Sequence, residues 1–114
     1  MPAYNEADHI ASSIEETAKT FEEFGCAWEL IVMDDGSSDD TFDKANRLSE
    51  NYPGQVVIKR NPYHRGKGRA IKKAFHYLDG DYTVFIDADM DLHPLQVQTL
   101  LDIMRLDNAD IVIG

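Results

Sequence analysis

The chain has 114 residues, a formal net charge of -10 and one cysteine, Cys26. That length holds one domain of ordinary size, and 43% hydrophobic with 28% charged residues gives a packed core rather than global disorder. The acidic balance argues against general nucleic-acid binding, no apolar run approaches the roughly 20 residues of a membrane span, and a lone cysteine excludes an intrachain disulfide and makes a reducing, cytoplasmic compartment the default. No signal-peptide pattern opens the chain, since Glu6 and Asp8 come early. Cys26 reads as a small buried hydrophobe beside Trp28.

The predicted elements alternate between helix and strand. A helix is expected from about Glu6 to Phe24, with Asn5 as N-cap, Ile10, Ile14, Ala18, Phe21 and Phe24 as the apolar stripe, and Gly25 at the C-cap. "WELIVM" (28–33) reads as a strand, and "DDGSSDDT" is turn chemistry able to cap a second helix reaching about Asn51. "QVVIK" (55–59) is the next strand, followed by a loop through "RNPYHRG" and a helix from about Lys67 to Leu78. Residues 82–87 read as a buried strand, 94–105 as a helix with Pro94 in its first turn, and "ADIVIG" (109–114) as a last strand. This spacing implies βαβ units: an α/β fold with a mostly parallel sheet and helices on both faces. The alternation also asks for a strand before the first helix, where "MPAYNE" opens as a loop. The expectation is a chain lacking its first strand, as a fragment of something longer would.

Two acidic clusters follow strands directly. Asp34 and Asp35 end the strand at 28–33, and Asp87, Asp89 and Asp91 end the one at 82–87. In a parallel sheet both open on the carboxyl edge, where α/β folds bind ligands. While the segment stays extended, Asp87, Asp89 and Asp91 share one face. Carboxylates side by side repel unless a cation joins them, and hard ions such as Mg²⁺ or Mn²⁺ take such oxygens together with substrate phosphates. The plain alternative is a solvated acidic turn. Seven of the eleven Lys and Arg residues fall between Lys59 and Lys73, a compact basic segment suited to a local anion. Within it "RGKGRA" sets glycines around Lys67 at a helix start, which favours phosphate, although it has neither Walker A nor dinucleotide-fingerprint spacing.

Four stretches, "PAYNEADHI", "ELIVMDDGSSDDT", "NPYHRGKGRAIKKAF" and "GDYTVFIDADMDLHP", resemble in order and spacing the family-2 inverting glycosyltransferases with the Rossmann-like GT-A fold. The closing "NADIVIG" resembles the dolichyl- or polyprenyl-phosphate mannose synthase-like branch. The resemblance spans nearly all the chain but covers only the nucleotide-sugar-binding half of such enzymes. It implies a nucleoside pocket lined by Pro2, Ala3, Tyr4 and Glu6, with Tyr4 beside the base and Glu6 bonded to the base or ribose. Asp35 is the preferred nucleoside contact of the acidic turn, and Gly36 permits close approach or positive φ. Lys67, and with less support Arg65, approaches the pyrophosphate. Asp87-Ala88-Asp89 matches the Asp-x-Asp signature, with Asp89 as metal ligand, Asp87 on ribose or metal, and small Ala88 letting the sugar nucleotide lie close. Asp91, often neutral in the family, is a further ligand or a source of repulsion; His93 fits a ligand by spacing and a loop residue by context.

The function so implied is metal-dependent (Mg²⁺ or Mn²⁺) transfer of a hexose from a GDP- or UDP-sugar to an acceptor such as a polyprenyl phosphate. It places the whole protein at the cytoplasmic face of a membrane. No residue offers itself as catalytic base. Two other readings stay open: a response-regulator receiver domain with Mg²⁺ in its acidic pocket and Asp87 as phosphoryl acceptor, and a non-catalytic sugar-nucleotide-binding module.

Overall fold

The computed structural model describes residues 1–91 and 93–111. Their elements are β1 (Pro2–Ala3), α1 (Ile10–Glu23), β2 (Leu30–Asp34), α2 (Thr41–Ser49), β3 (Val56–Arg60), α3 (Lys67–Ala74), a single 3₁₀ turn (Phe75–Tyr77) and α4 (Gln96–Asp107). The sheet has the order β1-β2-β3 and is parallel throughout.

Side-chain alternation along β2 explains why helices cover both faces. Leu30 and Val32 join the main core with Ile10, Ile14 and Phe21 of α1, Ala45 of α2 and Val56 of β3. Met33 points the opposite way and packs on Ala70 and Ala74 of α3. Those two alanines sit four residues apart, on one helix face, and their small side chains let α3 lie close to the strand. The five β2 residues are all buried, as expected for a central parallel strand.

Register decides where the sheet ends. Ala3 pairs with Asp34, and Asp34 pairs with Arg60. The last residues of all three strands therefore lie in one row, and three loops leave from the same edge. Hydrogen bonds continue the row past the strands, from Asp35 N–H to Ala3 C=O at 2.8 Å and from Asn61 N–H to Asp34 C=O at 2.8 Å.

Several expectations need correction. Residues 2–3 are a strand, not a loop: Pro2 and Ala3 supply the strand the alternation asked for. The first helix begins at Ile10, because Asn5 adopts the left-handed conformation (φ 52°) and cannot cap it. No strand forms over 82–87. Ile86 still buries in the main core beside Ala3 and Ile10, but β1 is two residues long and Pro2 has no N–H to share, so there is little to pair with. Cys26 is exposed, since Trp28 packs instead on Phe21 and Tyr52, with ring centroids 6.0 and 6.4 Å away. The expected final strand lies partly outside the described residues; Ala109–Ile111 are irregular. No helix among the described residues is long and apolar enough to cross a membrane.

The core reading predicts a contrast. Ile14→Ala, at a fully buried site, should lower the unfolding free energy by about 2–5 kcal/mol. Leu106→Ala, at a side chain 85% exposed, should change it by less than about 0.5 kcal/mol. Urea denaturation followed by the fluorescence of Trp28 measures both.

Candidate functional site

A cavity of about 290 Å³ opens at the carboxyl edge of the sheet. β1 and the loop after it contribute Pro2, Ala3, Tyr4 and Glu6; the turn after β2 contributes Asp35. The loop before α3 and the helix itself bring His64, Lys67 and Ala70, and the turn after residue 86 brings Asp87, Ala88 and Asp89. Of the residues named from the sequence as contacts or ligands, Pro2, Ala3, Tyr4, Glu6, Asp35, Lys67, Asp87, Ala88 and Asp89 are here, and Arg65, Asp91 and His93 are not.

The acidic turn is stitched to the loop after β1. Asn5 N–H donates to Ser37 Oγ at 2.9 Å, and Ser38 N–H donates to Asn5 Oδ1 at 2.9 Å. Glu6 N–H donates to Thr41 Oγ1 at 2.8 Å, and Ala7 N–H to Asp39 Oδ2 at 3.3 Å. Asp39 also accepts the Thr41 N–H at 3.0 Å, so it serves the start of α2 as expected. Burial pushes the Asp39 carboxyl up, but the bonds from Thr41 and Ala7 outweigh it and hold it below the usual range.

Asp34 and Asp35 both hold loops in place, and Asp35 also lines the cavity. Asp34 is fully buried and accepts from Ser37 Oγ. Arg60 Nε lies 3.1 Å from its Oδ2, close enough for charge attraction but not aligned as a hydrogen bond, and Oδ2 has no hydrogen-bond partner among the described residues. Asp34 does not line the cavity. Asp35, 2% exposed, receives the next loop: Oδ1 accepts from Asn61 Nδ2 at 2.8 Å, Oδ2 from Gly66 N–H at 2.8 Å, and both oxygens from Arg65 N–H at 3.2 Å. Burial raises its pKa, yet these donors, with His64 beside them, bring the net value below the ordinary carboxylate range. Gly36 makes this approach possible. Its φ is +73°, and a Cβ there would stand 2.6 Å from the backbone of Tyr63 and His64. The close approach anticipated at this glycine is therefore made by the protein's own loop.

The Asp87–Asp91 segment does not stay extended. Met90 has φ 64° and donates its N–H to Asp87 C=O at 3.1 Å, closing a turn. The alternation that would have aligned three carboxylates is broken, and Asp91 falls outside the cavity, its N–H donating to Asp89 Oδ1 at 3.2 Å. α1 fixes this turn from below through the buried bond from Ser13 Oγ to Ala88 C=O at 2.5 Å. Asp89 is exposed; Asp87 is half-exposed and pairs with Lys67 Nζ at 2.5 Å. Among the described residues no three carboxylate, imidazole or thiol groups form a metal cage. His93 lies elsewhere, with Nε2 3.2 Å from Glu16 Oε1 and Nδ1 accepting the Leu95 N–H.

Sequence reasoning missed His64. Its ring stacks on Tyr4 at 3.8 Å between centroids and 28° between planes, with Nδ1 3.0 Å from Asp35 Oδ2. The only signal was its place in the loop two residues before Gly66.

The fold is that of an α/β domain of the GT-A glycosyltransferase type. The chain belongs to glycosyl transferase family 2, whose family model matches residues 1–114. It is 30% identical, over its whole length, to the undecaprenyl-phosphate 4-deoxy-4-formamido-L-arabinose transferases of Salmonella paratyphi B and Salmonella newport, and covers 34% of each. The chain thus spans about a third of the length of the curated relatives it matches. Among solved structures it resembles the mannosyltransferase PcManGT from Pyrobaculum calidifontis in complex with GDP-Man and Mn²⁺. The TM-score is 0.66 at 27% identity, over 77% of this chain and 26% of that one.

Two predictions test this geometry. Gly36→Ala should cost about 1–3 kcal/mol or more, because the left-handed backbone is strained and the clash is with backbone that cannot rotate away. Asp35, with its folded pKa lowered, contributes stability that is present above its unfolded value of 3.8 and is lost as pH falls through the folded value. Asp35→Asn should flatten the fall in stability below that pH, as read by denaturant titrations at several acidic pH values.

Proposed function

We propose that this chain forms the donor-binding part of a glycosyltransferase that moves a hexose from a GDP- or UDP-sugar to a polyprenyl phosphate with inversion. The observation that carries the reading is the convergence of four separate loops on one cavity, whose walls offer stacked rings at one place and a lysine with two carboxylates at another. A nucleoside diphosphate has the same division into a flat base and a charged tail. Family membership supports the reaction class. The names of the Salmonella relatives support a polyprenyl phosphate acceptor, and the GDP-Man and Mn²⁺ of the Pyrobaculum complex support the donor and ion.

In this reading Tyr4 and His64 hold the base side. Pro2, Ala3 and Glu6 line the nucleoside wall, and Ala88 leaves room for the sugar. Lys67, at the start of α3, meets the diphosphate with the positive end of the helix behind it. Asp89 and Asp87 suit Mg²⁺ or Mn²⁺ in the mode in which one or two carboxylates are completed by substrate phosphates. Asp87 already faces a cation, the Lys67 ammonium. A bound ion would offset charge on the departing diphosphate. In the transfer, an acceptor phosphate oxygen forms the new bond at the anomeric carbon while the bond to the diphosphate breaks with its electron pair. An anionic phosphate oxygen needs no strong base. The full-length protein would work at the cytoplasmic face of a membrane.

The receiver-domain reading loses its footing here. It needs the acid pair after β2 free to hold Mg²⁺, whereas Asp34 and Asp35 are occupied by Ser37, Arg60 and the loop before α3.

Calorimetry with GDP and UDP, with and without Mn²⁺, tests the proposal. One nucleotide should bind more tightly with the ion, and absence of binding by both would end the reading. Asp89→Ala should remove that enhancement, by about tenfold or more on the scale of metal-site mutations, and leave the unfolding transition in place. Lys67→Met should weaken the nucleotide diphosphate but not the corresponding nucleoside.

A further inference from the structure

We propose that His64 reads the base: its free ring nitrogen accepts a hydrogen bond from a ring N–H of the nucleobase, and Asp35 acts behind it as a positioning residue. This rests on the donor-binding reading and names the group within that site which selects the base.

Three observations carry it. Asp35, the acid expected to touch the nucleoside, is occupied. Its two oxygens take Asn61 Nδ2, Arg65 N–H and Gly66 N–H, and it is 2% exposed. It has little left to offer a ligand. His64, by contrast, lines the cavity with half its side chain exposed.

The surroundings of the ring also set the tautomer of its neutral form. Nδ1 lies 3.0 Å from Asp35 Oδ2. This is a close contact rather than an aligned hydrogen bond, but two lone pairs at that distance would repel, so in the neutral ring Nδ1 carries the hydrogen. In the neutral ring Nε2 then keeps its lone pair and is an acceptor. Tyr4 supports the ring from one face at 3.8 Å, which fixes its plane. Nε2 has no partner among the described residues, and its role is thus available to a ligand.

An acceptor in that place selects by chemistry. Guanine and uracil each present a ring N–H beside a carbonyl, whereas adenine and cytosine present a ring lone pair at the same position and would meet Nε2 lone pair to lone pair. The class selected is therefore a lactam or imide base. Tyr4 fixes the plane of the imidazole, and His64 supplies the choice.

The test uses calorimetry on the intact protein with GDP, UDP, N1-methyl-GDP, N3-methyl-UDP, ADP and CDP, and with pyrophosphate plus Mn²⁺. The wild-type protein should bind GDP or UDP, with the N-methylated counterpart and with ADP and CDP each weaker by about tenfold, the worth of one hydrogen bond and its loss. His64→Phe keeps a flat ring on Tyr4 but has no acceptor. It should bind the parent nucleotide about tenfold more weakly, cease to distinguish it from the N-methylated form, and leave pyrophosphate binding unchanged. His64→Gln, which restores an acceptor oxygen, should recover part of the discrimination and keeps the test available should the phenylalanine variant not fold. A merely structural histidine would lower affinity for both forms equally and keep their ratio; that result, or a wild-type protein indifferent to N-methylation, overturns the proposal. Binding of pyrophosphate with Mn²⁺ but of no nucleotide would overturn the donor-binding reading itself, and this inference with it.

Discussion

One buried carboxylate organises the site. Asp35 stands just past the end of β2 and accepts from the side chain of Asn61 and the backbone of Arg65 and Gly66. Through these bonds the loop between β3 and α3 is drawn onto the neighbouring strand, and the first turn of α3 is set facing the cavity. Such an acid can be buried because it is surrounded by donors; unpaired, its charge would cost several kcal/mol. The donors are mostly backbone, so the loop path and the carboxylate stabilise each other. Gly36 completes the arrangement, since any Cβ there would push the Tyr63–His64 backbone away.

The protein divides its acids into two groups with different work. Asp34, Asp35 and Asp39 are consumed by internal donors and hold loops in place. Asp87 and Asp89 accept from no other loop among the described residues; they line the cavity together with Asp35, and Asp87 meets Lys67. That ion pair is mostly solvent-exposed, so it contributes little to stability; its interest is positional. It places a cation and an anion side by side where, in the proposed function, an ion and a diphosphate would exchange partners with them. Ser13 shows how far the scaffold reaches: a hydroxyl on α1 anchors the Ala88 carbonyl, and so the turn carrying both acids.

The large features of the fold were legible because they follow from local periodicity. The stripe Ile10, Ile14, Ala18 and Phe21 needed only 3.6-residue spacing to be read as a helix face, and "WELIVM" needed only its apolar run to be read as a strand, observed at Leu30–Asp34. The site was legible for a different reason. In parallel strands, residues that follow each strand must gather at one edge, so motif positions far apart in sequence become neighbours once the topology is known. Tyr4, Asp35 and Lys67 meet in this way, while Asp87 and Asp89 reach the same cavity from a segment that forms no strand.

What failed was whatever depended on partners distant in the chain. Asn5 has the composition of an N-cap, but Ser37 and Ser38 take its hydrogen bonds and leave it in the left-handed region. Residues 82–87 have strand propensity but lack a neighbouring ladder, and Asp91 alternates with Asp89 only until Met90 turns the chain. The sequence by itself therefore determined which residues are apolar, which are charged, and in what order helix and strand alternate, because these rest on side-chain chemistry and short-range sterics. Only the tertiary structure decided which acids are buried and satisfied, which face the cavity, and that His64 stands between Tyr4 and Asp35. A hydrogen bond is an agreement between two groups, and until the chain folds the second group has no position.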